Sequence, residues 1–254
     1  PPSSGSVGTA ARAAISTVLA ATHENQVIGL FESYGGDDEP VDPLLSRFKE
    51  LNLVEGFPAI RVKDTPTEQI YQMCEEAGTD LGQMLTRDRK IKKVKAIDNE
   101  LEKALGRIST GLYIITAHKG EINGAMLASW VSQASFQPLG FTVAVAKDRA
   151  IESLMQVGDR FVLNVLGEDT YQPLMRHFLK RFPPGADRFA GVKTRTAENG
   201  SPILADALAY LECEVTSRMD CSDHWIVYST VDVGKVSNPD ALTAVHHRKI
   251  GNYY

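Results

Sequence analysis

The apolar positions change their spacing between residues 86 and 98 of the 254-residue chain. Before that point they recur at helical intervals separated by short apolar runs. Thr9 to Ala21 carries Ala14, Ile15, Val18, Leu19 and Ala21 at the spacing of one apolar helix face. Val27-Ile28-Gly29-Leu30-Phe31 predicts a strand, and Ser33-Tyr34-Gly35-Gly36-Asp37-Asp38 after it predicts a glycine-rich loop. Asp42-Pro43 reads as a helix start, with Asp as N-cap and Pro at the first position, turning Leu44, Leu45 and Phe48 inward. Pro58 to Val62 predicts a second strand. Thr65-Pro66-Thr67-Glu68 has the form of a capping box, with the Thr65 hydroxyl accepting from the Glu68 N–H. Ile70, Cys74, Ala77, Leu81 and Leu85 then follow at helical spacing. Helix–strand–helix–strand–helix is the order of a parallel, doubly wound sheet. Two strands are too few to complete one, so this half is expected to be truncated.

Residues 86–95 are polar and strongly basic (Arg87, Arg89, Lys90, Lys92, Lys93, Lys95), which suits a solvated linker better than a binding patch. From Asp98 the pattern becomes strand-like. Leu112 to Thr116, Phe141 to Ala146, Phe161 to Val165, Leu208 to Val215 and Trp225 to Val233 all read as strands. Leu211-Glu212-Cys213-Glu214-Val215 has the period of two of a half-buried strand. Two helices interrupt them: Asp148 to Val157, with Asp148 as N-cap, and Asp169 to Phe182, ended by Pro183-Pro184-Gly185. Many strands with few helices argue for a closed barrel. The domains expected are therefore an α/β unit over 1–86, a basic linker over 87–97 and a mainly-β unit over 98–254.

Composition narrows the function classes. Apolar content of 43% and charged content of 23% are those of an ordinary globular protein, and the net charge of −5 gives no argument for nucleic acid or an anionic membrane. No apolar run approaches a membrane span, so no membrane insertion is expected. Three cysteines without a CxxC pair suit a reducing compartment, and scattered histidines make a protein-built metal site improbable. The opening Pro1-Pro2-Ser3-Ser4-Gly5 has neither an initiator Met nor a signal peptide's basic stretch. The expectation is a piece of a longer chain.

The chemistry-bearing candidates lie mostly in the second half. Asn123 to Trp130, followed by Ser132, Ser135 and Pro138, is small and hydroxyl-rich. Such a segment lets a flat ligand approach the backbone, although Ser/Ala-rich turns are common without one. Lys147, Asp148 and Arg149 stand where a strand turns into a helix; they read equally as a phosphate site or as a capped start with two surface cations. Asp223-His224 precedes Trp225 in a polar turn. Such a histidine is usually structural, but beside an acid it can contact a cofactor amide. Trp130 and Trp225 can stack on a ring system or simply fill the core.

Taken in order, Gly111 to Thr116, Met126 to Pro138, Phe161 to Leu166, Asp187 to Val192, Leu208 to Val215 and Asp223-His224 resemble the flavin reductase-like family, from about Leu105 to Tyr254. The resemblance implies a split β-barrel that binds FMN, with FAD as an alternative, and takes electrons from NADH or NADPH. It implies flavin contacts at Ala128, Ser129, Trp130 and Ser135, phosphate partners at Lys147 and Arg149, and a nicotinamide contact at His224. Ser222 stands where many members have Gly, and Leu127 where many have Thr. No obligatory catalytic acid or base is implied, and no metal ligand. Phe31 to Asp37 and the helices after it resemble the second half of a flavodoxin-like domain, in which Ser33, Tyr34, Gly35 and Gly36 would flank a flavin. The pairing of these two domains resembles the flavodiiron (diflavin) proteins of oxygenic phototrophs, which reduce oxygen to water. That implies a diiron centre in a domain this chain lacks, a dimer or larger oligomer, and a cytoplasmic or chloroplast-stromal setting.

Overall fold

A computed structural model of the chain describes residues 9–34, 43–96 and 100–249, with backbone alone at 9–12, 43 and 86–96. The chain divides into two compact units with the boundary at Ile91/Lys92.

The first unit contains α1 (Thr9–Ala20), β1 (Val27–Ile28), β2 (Phe31–Tyr34), α2 (Pro43–Glu50), β3 (Val54–Glu55), β4 (Ile60–Lys63) and α3 (Glu68–Ala96). β1 pairs with β3 and β2 with β4, both parallel. Bonds from Val54 N–H to Gln26 O, Gly56 N–H to Ile28 O and Ile60 N–H to Leu30 O make the two pairs one interrupted ladder. The register moves from Val27↔Val54 to Phe31↔Ile60, so the second strand carries two extra residues at the interruption. Pro58 lies there, where its missing N–H breaks no ladder bond. Phe57 turns inward at the same place and is 3% exposed. Gly29 makes room for it, since a Cβ at that position would overlap the Phe57 ring.

Several local expectations shift. The α3 cap is Thr67, whose hydroxyl accepts from Ile70 N–H at 3.4 Å, rather than Thr65; Pro66 precedes the cap instead of opening the helix. Residues 87–96, read as a linker, continue α3, because from Gln83 onward the sequence has neither Gly nor Pro and is rich in Arg and Lys. Of the apolar face expected over Thr9 to Ala21, Ile15 and Leu19 are half-buried, while Ala14, Val18 and Ala21 are exposed. Gly35 and Gly36 lie outside the described residues.

The second unit runs through α4 (Glu100–Leu105), β5 (Thr110–Gly111), β6 (Tyr113–Lys119), β7 (Ile122–Ala128), β8 (Val131–Phe136), β9 (Leu139–Ala146), a 3₁₀ turn (Ala150–Leu154), β10 (Arg160–Val165), α5 (Tyr171–Phe178), β11 (Thr194–Thr196), β12 (Pro202–Leu204), β13 (Ala209–Cys221), β14 (His224–Val236) and β15 (Val245–His246). Seven strands form one antiparallel sheet in the order β7-β6-β10-β13-β14-β9-β8. It curls around Ile115, Val143, Val145, Phe161, Leu163, Cys213, Val215 and Val227, with Ile151, Leu154 and Met155 from the 3₁₀ segment closing one side. No ladder joins β7 to β8, so the barrel is split there rather than closed.

Both edge strands come from the segment read as a hydroxyl-rich connection between strands. Small side chains hide the strand pattern, but β7 is packed on both faces. Ile122 and Ala128 enter the barrel core, while Ala125 and Leu127 pack against Leu112, Ile114, Leu174 and Phe178. The helix expected over Asp148 to Val157 is the short 3₁₀ turn, preceded by Arg149 in extended conformation rather than by a capping Asp148. α5 starts at Tyr171 and ends well before Pro183.

Asn164 fixes the outer face of the sheet. Its Nδ2 donates to Ile114 O and Thr116 Oγ1, both at 3.1 Å, and its Oδ1 accepts from Leu204 N–H at 2.8 Å. Thr116 in turn donates to Pro202 O. β6, β10 and β12 thus meet at one fully buried amide, where any lost bond leaves a desolvated partner.

The ribbon of β13 and β14 has two irregularities, at Glu212/Cys213 and Val215/Ser217. At the second, Thr216 is the extra residue, because Val215 opposes Ser229 while Ser217 opposes Tyr228. Residues directly opposite in such a ladder share a face. Before the bulge, buried Cys213 and Val215 point inward; beyond it Arg218 opposes buried Val227, and Asp220 opposes Trp225. The bulge therefore moves the even-numbered residues to the inner face. The ribbon ends in Ser222-Asp223, with Ser222 left-handed at φ 63°.

Asn164→Ala is expected to destabilise this unit by about 2–4 kcal/mol through unmade buried bonds. Urea unfolding followed by tryptophan fluorescence checks it, because Trp130 and Trp225, the two tryptophans, both lie here. Ser222→Gly is expected to stabilise the same transition by about 0.5–1 kcal/mol, since glycine occupies the left-handed region without Cβ strain.

Candidate functional site

Strand register brings most of the candidate residues to one end of the sheet. Ala128 ends β7, opposite Tyr113, and Ser129-Trp130 form the corner from which β8 departs. Ala144 N–H donates to Trp130 O at 3.0 Å, which ties this corner to the last turn of β9. His224 opposes Ala146 across the β9–β14 ladder, and Lys147 N–H donates to Asp223 O at 2.9 Å. The corner, the end of β9 and the β13–β14 turn therefore share one mouth of the barrel. Ala128 is buried, while Ser129 and Trp130 are half-buried and within reach of solvent.

Two aromatic stacks lie at this end of the sheet, on opposite faces: Trp130 and His224 follow the parity of Ala144 and Ala146, and Trp225 that of core Val145. Trp130 lies against His224 with ring centroids 5.1 Å apart and 34° between planes, and Arg248 stands over the Trp130 ring at 5.0 Å. His224 Nδ1 is 2.8 Å from Asp223 Oδ1, so the carboxylate fixes the orientation of a side chain that is only 12% exposed. Trp225 has two cations over its ring, Lys147 Nζ at 4.5 Å and Arg218 Cζ at 4.3 Å.

Both cations are also ion-paired. Lys147 Nζ donates to Asp220 Oδ1 and Oδ2, each at 2.8 Å. The bond from Lys147, aided by Ser222 N–H, holds the Asp220 carboxyl below the usual carboxylate range. Arg218 donates to Glu152 and so ties the 3₁₀ turn to the inner face of β13. Arg149 is the most open of these cations, its Nε 3.8 Å from Asp148. Burial raises the Tyr113 phenol, which stays neutral in the strand opposite Ala128. Burial also pushes the Cys213 thiol far up, so it stays protonated and inert. His246 is held below its ordinary value by burial, then by Arg248 and His247.

Ser135 does not join this group. It opposes Gly140 at the far end of the β8–β9 hairpin, where its hydroxyl donates to Pro138 O at 2.7 Å and meets Tyr228 OH at 2.7 Å. Five residues separate it from Trp130, roughly 17 Å of strand. In the first unit, exposed Ser33 and half-buried Tyr34 end β2. Sequence reasoning missed Arg218, Asp220 and Arg248. The first two follow from the hairpin register only once the Thr216 bulge is known, and Arg248 is brought in by β15 pairing with β5.

No helix among the described residues is long and apolar enough to cross a membrane. Residues 105–253 match the flavin reductase like domain. The chain is 73% identical over 237 residues to Diflavin flavoprotein A 1 of Synechocystis sp., covering 93% of this chain and 41% of that protein. It is 71% identical over 241 residues to a diflavin flavoprotein A 3 of Nostoc sp., covering 95% of this chain and 42% of that protein. The chain thus spans about two fifths of the length of these relatives. Among solved structures, the NADH:FAD oxidoreductase SgcE6 of Streptomyces globisporus superposes with a TM-score of 0.53 at 25% identity, over 60% of this chain and 90% of that one. BorF, the flavin reductase component of a bacterial two-component tryptophan halogenase, gives 0.51 at 27%, over 59% and 92%. With the matched residues taking in all seven strands of the split sheet, the chain belongs to the flavin reductase-like family.

Proposed function

We propose that the seven-stranded unit holds FMN at the mouth where β7 turns into β8 and reduces it with NADH or NADPH. In this reading it is the electron-input module of a diflavin oxygen reductase. The observation that carries the reading is the convergence of Ser129-Trp130, Lys147 and His224 at one end of the sheet through the β8–β9–β14 register.

The residues present fit a flat, phosphorylated ring system. The ladder uses only one side of β7 and of β8, so main-chain donors and acceptors remain along the split for ring carbonyls and nitrogens. Ala128 and Ser129 are small enough to let a ring approach that backbone, and Trp130 adds an aromatic face. Lys147 and Arg149 supply cations for the phosphate. A bound flavin supplies the redox chemistry, accepting hydride from the nicotinamide. The protein's part is position: Trp130 and His224 pack against each other beside the corner, and Asp223 holds the imidazole that would contact the nicotinamide. No side chain needs to gain or lose a proton for this. Ser135, bonded within its own hairpin, would act on the flavin only indirectly. FAD would fit the same groups, its second phosphate finding Arg149.

The first unit reads as part of a flavodoxin-like domain, with boundaries near 1–86 and a helical continuation over 87–96. Its parallel β–α–β order supports this, as does Tyr34 at the carboxyl end of β2, where open parallel sheets bind their ligands. Ser33, Tyr34, Gly35 and Gly36 would then flank a second flavin, consistent with the diflavin names of the relatives. Diiron chemistry and oxygen reduction would belong to the length of those proteins that this chain does not span. A dimer, and a cytoplasmic or plastid setting, complete the proposal.

Anaerobic mixing of the FMN-loaded protein with NADH or NADPH is expected to bleach the flavin band near ~450 nm, a property of the cofactor. Flavin that binds yet stays oxidised would make the domain a carrier, not a reductase. His224→Ala is expected to slow the bleaching by about tenfold to a hundredfold while FMN binding is retained.

A further inference from the structure

We infer that Asp220 sets the phosphate preference of this mouth, its carboxylate competing with a flavin phosphate for Lys147 and so weakening FMN relative to unphosphorylated riboflavin. The inference rests on the reading above that Lys147 is a phosphate partner.

The competition follows from how the ammonium is engaged. An ammonium has three donors, and two of those on Lys147 go to the two oxygens of Asp220 at 2.8 Å. Its third neighbour is the Trp225 ring. A phosphate approaching Lys147 must displace the carboxylate or share the cation with it, bringing like charges together. Neither Arg218 nor Arg149 relieves this. Arg218, 9% exposed, is committed to Glu152, and Arg149 stands near Asp148. Lys147, Arg149 and Arg218 are thus matched by Asp148, Glu152 and Asp220, with Asp223 adding a further carboxylate.

Asp220 is also held in its competing position. Its Oδ1 accepts from Ser222 N–H at 3.0 Å, and its place opposite Trp225 is set by the register beyond the Thr216 bulge. Asparagine at this position keeps the shape and the acceptor for Ser222 while removing the charge.

FMN and riboflavin are titrated separately into the wild-type chain, Asp220→Asn, Lys147→Ala and the double variant, with flavin fluorescence quenching as readout. Asp220→Asn is expected to tighten FMN by roughly threefold to tenfold at low ionic strength, with the gain shrinking as salt rises. Riboflavin affinity should stay the same, and the double variant should show no gain over Lys147→Ala. Weaker FMN binding by Asp220→Asn would overturn the inference, making Asp220 a residue that positions Lys147 for the phosphate. Equal effects on FMN and riboflavin would overturn it as well, as would a gain that persists without Lys147. If Lys147→Ala weakens FMN selectively while Asp220→Asn does nothing, the phosphate reading stands and only the competition fails. If Lys147→Ala leaves the FMN-to-riboflavin ratio unchanged, both fail together.

Discussion

A strand can keep only one parity of side chains on a given face, and β13 needs both. Its first half sends Cys213 and Val215 into the barrel core. Its second half must present Arg218 and Asp220 on that same side, over the mouth. The sequence alternates without a break, so a regular strand would place Ser217 and Met219 inward and turn both charges to the outer face. The additional residue at Thr216 reverses the alternation. Almost everything that gives the mouth its electrostatics depends on this one insertion. The Arg218–Glu152 pair, the Lys147–Asp220 pair and the two cations on Trp225 are all assembled on the face it selects.

The same insertion explains what could and could not be read from the chain. Long apolar runs such as Phe161 to Val165 and Phe141 to Ala146 are strands in both sequence and structure, because β10 is buried on both faces and β9 keeps Phe141, Val143 and Val145 in the core. The ordered blocks from Gly111 to His224 were enough to identify the family and to find the corner at Ser129 and Trp130. Two kinds of feature stayed hidden. β7 and β8 carry Gly, Ala and Ser, whose own strand preference is weak, and they are strands because their neighbours supply ladder and packing. Ion pairs across strands were invisible for a different reason. Lys147 and Asp220 are 73 residues apart, and only a register that includes the bulge makes them neighbours. Proximity in sequence misled in the other direction at Ser135, which lies close to Trp130 in the chain but at the opposite end of β8.

The mouth is accordingly less cationic than its lysine and arginines suggest. Each of Lys147, Arg149 and Arg218 stands near a carboxylate, and the aromatic rings take part in holding two of them. The more exposed of these, Lys147–Asp220 and Arg149–Asp148, contribute little to stability. Their effect is on geometry: they hold flexible side chains in one place at this end of the sheet. Asn164 plays the corresponding role on the outer face, where its bonds to three backbone or side-chain partners pin β12 against β6 and β10.

The unpaired seam between β7 and β8 has a mechanical consequence. Parting these two edges breaks no ladder hydrogen bond, so only side-chain packing resists it. The edges are not equally at liberty along their length, however. At Ser129 and Trp130 they are joined by the chain itself, and Trp130 is bonded through its carbonyl to β9. The seam is therefore tethered at that corner, where the chain and the Trp130–Ala144 bond limit how far its edges can stand apart. Away from it, towards Ile122 on one edge and Phe136 on the other, no ladder bond spans the split.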